Sequence, residues 1–119
     1  MRITRPYQKI IAWQESYKLA LGVYRLTSEF PSYEKFGLTS QIRRAATSVS
    51  LNIAEGNAKR SRPERMRFFE IALASLEEVH CALQLSCDLT YIDESIFEKL
   101  DAHIHRTSYL LTRLRASLR

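Results

Sequence analysis

Apolar residues return every three or four positions along most of the chain, the period of helices buried on one side. In the first such segment, about residues 9–29, Ile10, Trp13, Tyr17, Ala20, Leu21 and Tyr24 fall on one stripe. Ala12, Leu19, Val23, Leu26 and Phe30 make a second stripe, and only Lys18, Gly22, Arg25 and Glu29 fill a narrow polar strip. On a wheel of 100° per residue the apolar surface spans roughly 220°, more than one seam requires. This helix is expected to meet a second partner, either another subunit or a loop or tail laid over the stripe. Residues 31–37 end it and turn the chain.

A second helix is predicted over residues 38–58, with Leu38, Ile42, Ala45, Ala46, Val49, Ile53 and Gly56 inward. These side chains are mostly small, so neighbouring backbones can approach closely. After a turn, Ser61 is placed to cap a third helix, about residues 62–89. Pro63 sits in its first turn, and Glu64 stands three after Ser61 as in a capping box. Phe68, Phe69, Ala72, Leu76, Val79 and Leu83 form its main stripe. Residues 90–93 turn again, and Asp93 is the expected N-cap of a fourth helix, about residues 94–118. Its inward set is Ile96, Phe97, Leu100, Ile104, Leu111, Leu114 and Leu118. Four helices with short connections make antiparallel neighbours. The predicted fold class is therefore all-α, an up-down-up-down four-helix bundle forming one domain over residues 1–119.

Composition agrees with this reading. The 119 residues are 45% hydrophobic, with only three Gly and three Pro to punctuate the chain. No run approaches the roughly 20 apolar residues of a membrane span, and the first residues lack the apolar stretch of a secretory leader. A cytoplasmic protein with no membrane partner is expected. Cys81 and Cys87 stand six apart on one predicted helix, point to different faces and cannot bridge within it; they read as small apolar residues.

Charge changes the picture more. The net charge is +5, but chain direction would sort it. If the helices alternate, one end collects Arg2, Arg5, Lys9, Lys59, Arg60, Arg62, Arg65, Arg67, Arg106, Arg113, Arg115 and Arg119, opposed only by Glu55 and Glu64. The other end is acidic, with Glu29, Glu34, Asp88, Asp93, Glu94, Glu98 and Asp101 against Arg25, Lys35 and Lys99. The excess of Arg suits phosphate, whose oxygens a guanidinium can bind in pairs. Lys59, Arg60, Arg62, Arg65, Arg67, Arg113, Arg115 and Arg5 are the candidate nucleic-acid-binding residues, touching backbone more than bases. The competing reading is a solvated cap of charge. Cations at helix C-termini simply answer the helix dipole, but that does not account for Arg62, Arg65 and Arg67 at a helix N-terminus.

Enzyme chemistry finds little support. Glu77 and His80 form one Glu-x-x-His, the spacing of a di-iron helix, but such a centre needs a second copy and two further Glu. His103 and His105 diverge on a helix. No phosphate loop or nucleophile elbow occurs. The protein is expected to be no enzyme and to need no metal or cofactor. Arg44, Asn52, Glu55 and Glu78, with Ser48, are candidates for a structural polar network between helices or subunits.

The second helix carries a specific block: Gly37-Leu38, then Gln41-Ile42-Arg43-Arg44-Ala45-Ala46, Ser48-Val49 and Asn52-Ile53-Ala54-Glu55-Gly56. It resembles the four-helix bundle proteins encoded in intervening sequences of bacterial large-subunit rRNA genes, the S23-type family. Phe68-Phe69-Glu70-Ile71-Ala72 and Ser75-Leu76-Glu77-Glu78-Val79 extend the match, while Ala74 departs from the family's usual Gly. The resemblance implies the same bundle, assembly into a homopentamer and no catalytic residues. It also implies a relation to the accessory protein of diversity-generating retroelements, which works with a reverse transcriptase and nucleic acid. The leading expectation is thus an oligomeric RNA- or DNA-binding module. The alternative is a protein–protein adaptor, or a structural protein of an rRNA intervening element, with no nucleic-acid ligand.

Overall fold

The computed structural model describes residues 1–118, which form four long helices and no strand. They are α1 (Ile11–Thr27), α2 (Leu38–Ala58), α3 (Arg62–Asp88) and α4 (Glu94–Ala116), arranged as a rod of 43 × 24 × 22 Å. Arg119 lies outside the described residues. α2 packs most extensively on α3 and next on α1, while α4 lies against both α1 and α3.

The small residues foreseen on α2 set its central place. Ala46, Val49 and Ile53 are fully buried between neighbours. At Gly56 an added Cβ would stand 2.8 Å from Phe69 Cε1 and 2.9 Å from Phe68 Cβ, so the start of α3 rests directly on the α2 backbone. Hydroxyls join the helices where methyl groups do not fill the seam. Ser16 on α1 meets Ser50 on α2 at 3.0 Å, and Ser48 on α2 meets Ser75 on α3 at 2.8 Å. Asn52 serves this second seam, donating its amide to the Ser48 carbonyl and hydroxyl.

Local signals explain the ends. Ser61 accepts the Glu64 backbone N–H and Asp93 that of Ile96, each satisfying an orphan donor of a first turn. α3 closes with a Schellman motif: Tyr91 N–H donates to the Ser86 carbonyl and Thr90 N–H to that of Cys87. The motif holds Thr90 at φ 66°, in the left-handed region, where a β-branched residue is strained.

Three expectations need correction. The first helix starts at Ile11 rather than near residue 9, because Pro6–Lys9 form a 3-10 turn and Ile10 is extended. The buried Gln8 carboxamide builds that turn, accepting N–H bonds from Thr4 at 2.7 Å and Arg5 at 2.8 Å and donating to the Arg2 carbonyl. Tyr7 then packs edge-on against Trp13, whose other neighbour is the stacked Tyr17. α1, α3 and α4 also end one or two residues early. Ile96, read as inward, is exposed at the first turn of α4.

Two substitutions test this packing. Gly56→Ala forces Phe69 and Phe68 away and should cost about 1–3 kcal/mol, read as a lower urea midpoint. Thr90→Gly relieves the left-handed strain and should add about 0.5–1 kcal/mol, since the gain outweighs the looser unfolded chain.

Candidate nucleic-acid interface

The turn between α2 and α3 and the first turns of α3 bring the densest basic stretch to one place. Lys59, in the connector, and Arg67 lie 5.2 and 6.0 Å from the ring of Phe68, so both cations rest on a partly buried aromatic face. Arg65 is half-buried and reaches Asn57 Oδ1 at 3.4 Å, while its Nε is buried without an acceptor among the described residues. Arg60, Arg62 and Arg67 are exposed. Arg5 is carried to this neighbourhood by the Gln8-built turn and shares a cleft with Asn57, Ala58 and Glu55.

On α4, Arg113 stacks 5.7 Å from the Tyr109 ring and donates to its hydroxyl at 3.0 Å. Arg115 lies in the same last turn. Tyr109, 60% exposed, was not among the residues singled out from the sequence; its place four before Arg113 was the available signal.

Arg106 departs from the expected basic end. Its Nε sits 3.2 Å from Glu15 Oε1, on the early part of α1. Glu15 also pairs with Lys18 at 3.3 Å, and His103 Nε2 lies 3.0 Å from its backbone carbonyl and 3.6 Å from its carboxylate. Burial pushes the Glu15 carboxyl up, but Lys18, His103 and Arg106 outweigh that and hold it below its ordinary value. The α1–α4 seam therefore spends one arginine on a structural ion pair. Wheel patterns cannot reveal a pair so distant in sequence.

The remaining titratable groups are used structurally. His80 does not join Glu77 but turns to α4, its Nε2 3.2 Å from Asp101 Oδ1; His105 Nε2 stands 3.7 Å from the same oxygen. Neither is aligned for a hydrogen bond to that buried atom. Among the described residues no group of three or more His, Cys, Asp or Glu is arranged to hold a metal ion. Burial and the nearby Glu94, Asp88 and Asp93 raise the Cys87 thiol above its ordinary value, which keeps it protonated and inert. At the other end of the rod, Tyr91 donates to Glu34 Oε2 at 2.8 Å; its bonds to Tyr33 and Glu34 raise its phenol.

The polar network read from the sequence does not form as one unit within the chain. Asn52 and Ser48 belong to the hydroxyl seam described above. Arg44, Glu55 and Glu78 are exposed and enter no ion pair among the described residues.

The arrangement defines an all-α protein of four packed helices with an arginine-rich surface. No described helix is long and apolar enough to cross a membrane. The description of the 23S rRNA-intervening sequence proteins matches residues 8–113, and the chain belongs to that family. The fold is similar to that of a protein of unknown function from the S23 ribosomal protein family of Bacteroides thetaiotaomicron. The two share 23% identity and a TM-score of 0.79, over 88% of this chain and 98% of that one. No curated protein matches the chain.

The Glu15 cluster makes a pH prediction. A carboxyl with a lowered folded-state pKa adds stability above its unfolded value that is lost as pH falls through the folded one. Glu15→Gln should therefore cost about 1 kcal/mol near neutral pH, a modest figure because Lys18 and Arg106 are solvent-screened. In thermal melts below pH 4.5 the gap to the native protein should close.

Proposed function

We propose that the protein is a non-catalytic, self-associating module that binds nucleic acid, RNA foremost, through its arginine-rich end. The reading depends on an antiparallel, up-down-up-down course of the helices. Paired contacts support that course. Ser16 meets Ser50 while Arg43 donates to Thr27, so positions rise along α1 as they fall along α2. The contacts of Ser48 with Ser75 and of Asn57 with Arg65 run the same way between α2 and α3. The last turn of α4 then stands beside the first turns of α3, and Arg113 and Arg115 join Arg62, Arg65 and Arg67.

The carrying observation is Arg62, Arg65 and Arg67 at the N-terminus of α3. A helix N-terminus carries partial positive charge and disfavours cations. Only Glu64 is acidic in that first turn, and the three side chains engage no carboxylate among the described residues. Stability alone does not explain a cluster placed against the dipole; a polyanion does. Guanidiniums here would hold phosphates, and the exposed Tyr109 beside Arg113 offers a surface for an unpaired base.

Self-association, for which a pentamer is the proposed size, would repeat this end around a ring and raise avidity. It is supported by the apolar faces that α1 and α3 leave uncovered: Tyr17, Leu21 and Tyr24 on one side, Ile71 and Leu85 on the other.

Binding to a generic single-stranded RNA should weaken roughly 30- to 100-fold between 50 and 200 mM salt if each chain holds about four phosphates. Arg62→Glu with Arg65→Glu and Arg67→Glu should lower affinity at least about 100-fold and flatten the salt dependence by roughly two to three counterions. Fluorescence anisotropy across a salt series reads both. Weak, salt-independent binding that the triple change leaves intact would reject this function and favour a protein adaptor.

A further inference from the structure

Where the connector before α2 meets the α1–α2 face lies a cleft of about 410 Å³, within the roughly 300–1,000 Å³ of small-molecule sites. Lys35, Arg43 and Arg44 line it, and no carboxylate does. None of the three forms an ion pair among the described residues. Glu34, the acidic residue nearest to them in sequence, is engaged elsewhere. Its Oε1 accepts the Leu38 N–H at 3.1 Å and its Oε2 the Tyr91 hydroxyl at 2.8 Å.

Arg43 is held in place by the fold itself. Its Nε donates to Thr27 Oγ1 at 2.8 Å and its Nη2 to the Tyr24 carbonyl at 3.3 Å, and the guanidinium lies 4.7 Å from the Tyr24 ring. Nη1 has no acceptor among the described residues and stays available. A cation fixed in this way loses little freedom on binding a ligand. Thr39 and Ser40, in the first turn of α2, also line the cleft. Gly37 gives that helix no side-chain cap, and no acidic residue stands in its first turn. A helix start is itself partly positive, so a multiply charged anion would satisfy the three cations and the helix together.

The wall of the same cleft includes Phe36, 90% exposed and the least buried large apolar side chain of the described residues. Lys35 Nζ stands 5.5 Å from its ring centre. An aromatic face left in water beside phosphate-binding groups suits a planar base. We infer that the cleft binds a nucleoside phosphate, with the base on Phe36 and the phosphate on Arg43, Arg44 and Lys35. The chemistry it reads is a terminal phosphate carried on an unstacked base, supplied by a free nucleotide or by the 5′ end of an RNA strand. The site is separate from the Arg-rich end: Arg44 stands about 20 Å along α2 from Ala58, where that helix ends. It does not depend on RNA binding there.

Calorimetric titration of the full chain tests it. ADP should bind once per chain, with adenosine and inorganic phosphate each at least about tenfold weaker, since each offers half of the contact. Arg44→Glu should weaken ADP at least about tenfold and Phe36→Ala at least about fivefold; both positions are exposed, so neither change disturbs the core. Arg62→Glu with Arg65→Glu and Arg67→Glu should leave ADP affinity within about twofold. In that triple background, a short RNA with a 5′-phosphate that displaces ADP better than the same RNA with a 5′-hydroxyl identifies the strand end as the source. Displacement by neither RNA identifies the free nucleotide. Inorganic phosphate binding as tightly as ADP would overturn the nucleotide assignment. Failure of ADP to bind, binding indifferent to Arg44→Glu and Phe36→Ala, or binding abolished by the triple change would overturn the site and leave the RNA-binding role of the Arg-rich end standing.

Discussion

The close approach of α2 to its neighbours is the constraint from which the rest of the molecule follows. Ala45, Ala46, Val49 and Gly56 keep that helix thin on its buried side, so α1 and α3 can both lie against it with hydroxyl seams at Ser16–Ser50 and Ser48–Ser75. A bulkier α2 would push the Phe68–Phe69 end of α3 outward. It would also carry the connector with it, and with the connector the spacing of Lys59, Arg65 and Arg67 around Phe68 and Asn57. Core packing and the candidate interface thus share a single set of contacts.

The two ends of the rod use polar groups differently. At the end carrying Tyr91, Glu34 and Asp93, donors and acceptors are matched: the phenol bonds the carboxylate and the aspartate caps α4. At the arginine-rich end they are not. Cations rest on aromatic rings or on an amide oxygen and leave most of their donors directed to solvent. Midway, the α1–α4 and α3–α4 seams are closed by carboxylate–imidazole and carboxylate–guanidinium contacts. Those contacts account for all three histidines and for Arg106, and they turn what looked like loose chemistry in the sequence into seam packing.

α1 is apolar over more of its circumference than its own core requires: Trp13 and Val23 face inward, while Tyr17, Leu21 and Tyr24 remain uncovered.

The sequence by itself determined the helices, their caps at Ser61 and Asp93, the buried stripes and the family, because each is written in residues near one another along the chain at a helical period. It also determined which arginines are available, since charge is a property of composition. Tertiary structure alone decided how they are used. Arg106 joining Glu15 across the rod and His80 facing Asp101 both depend on which helix lies beside which, and at what height. Hydrophobic periodicity says which side of a helix is buried; it carries no information about the partner on that side, and long-range polar pairs are fixed only once packing has chosen that partner.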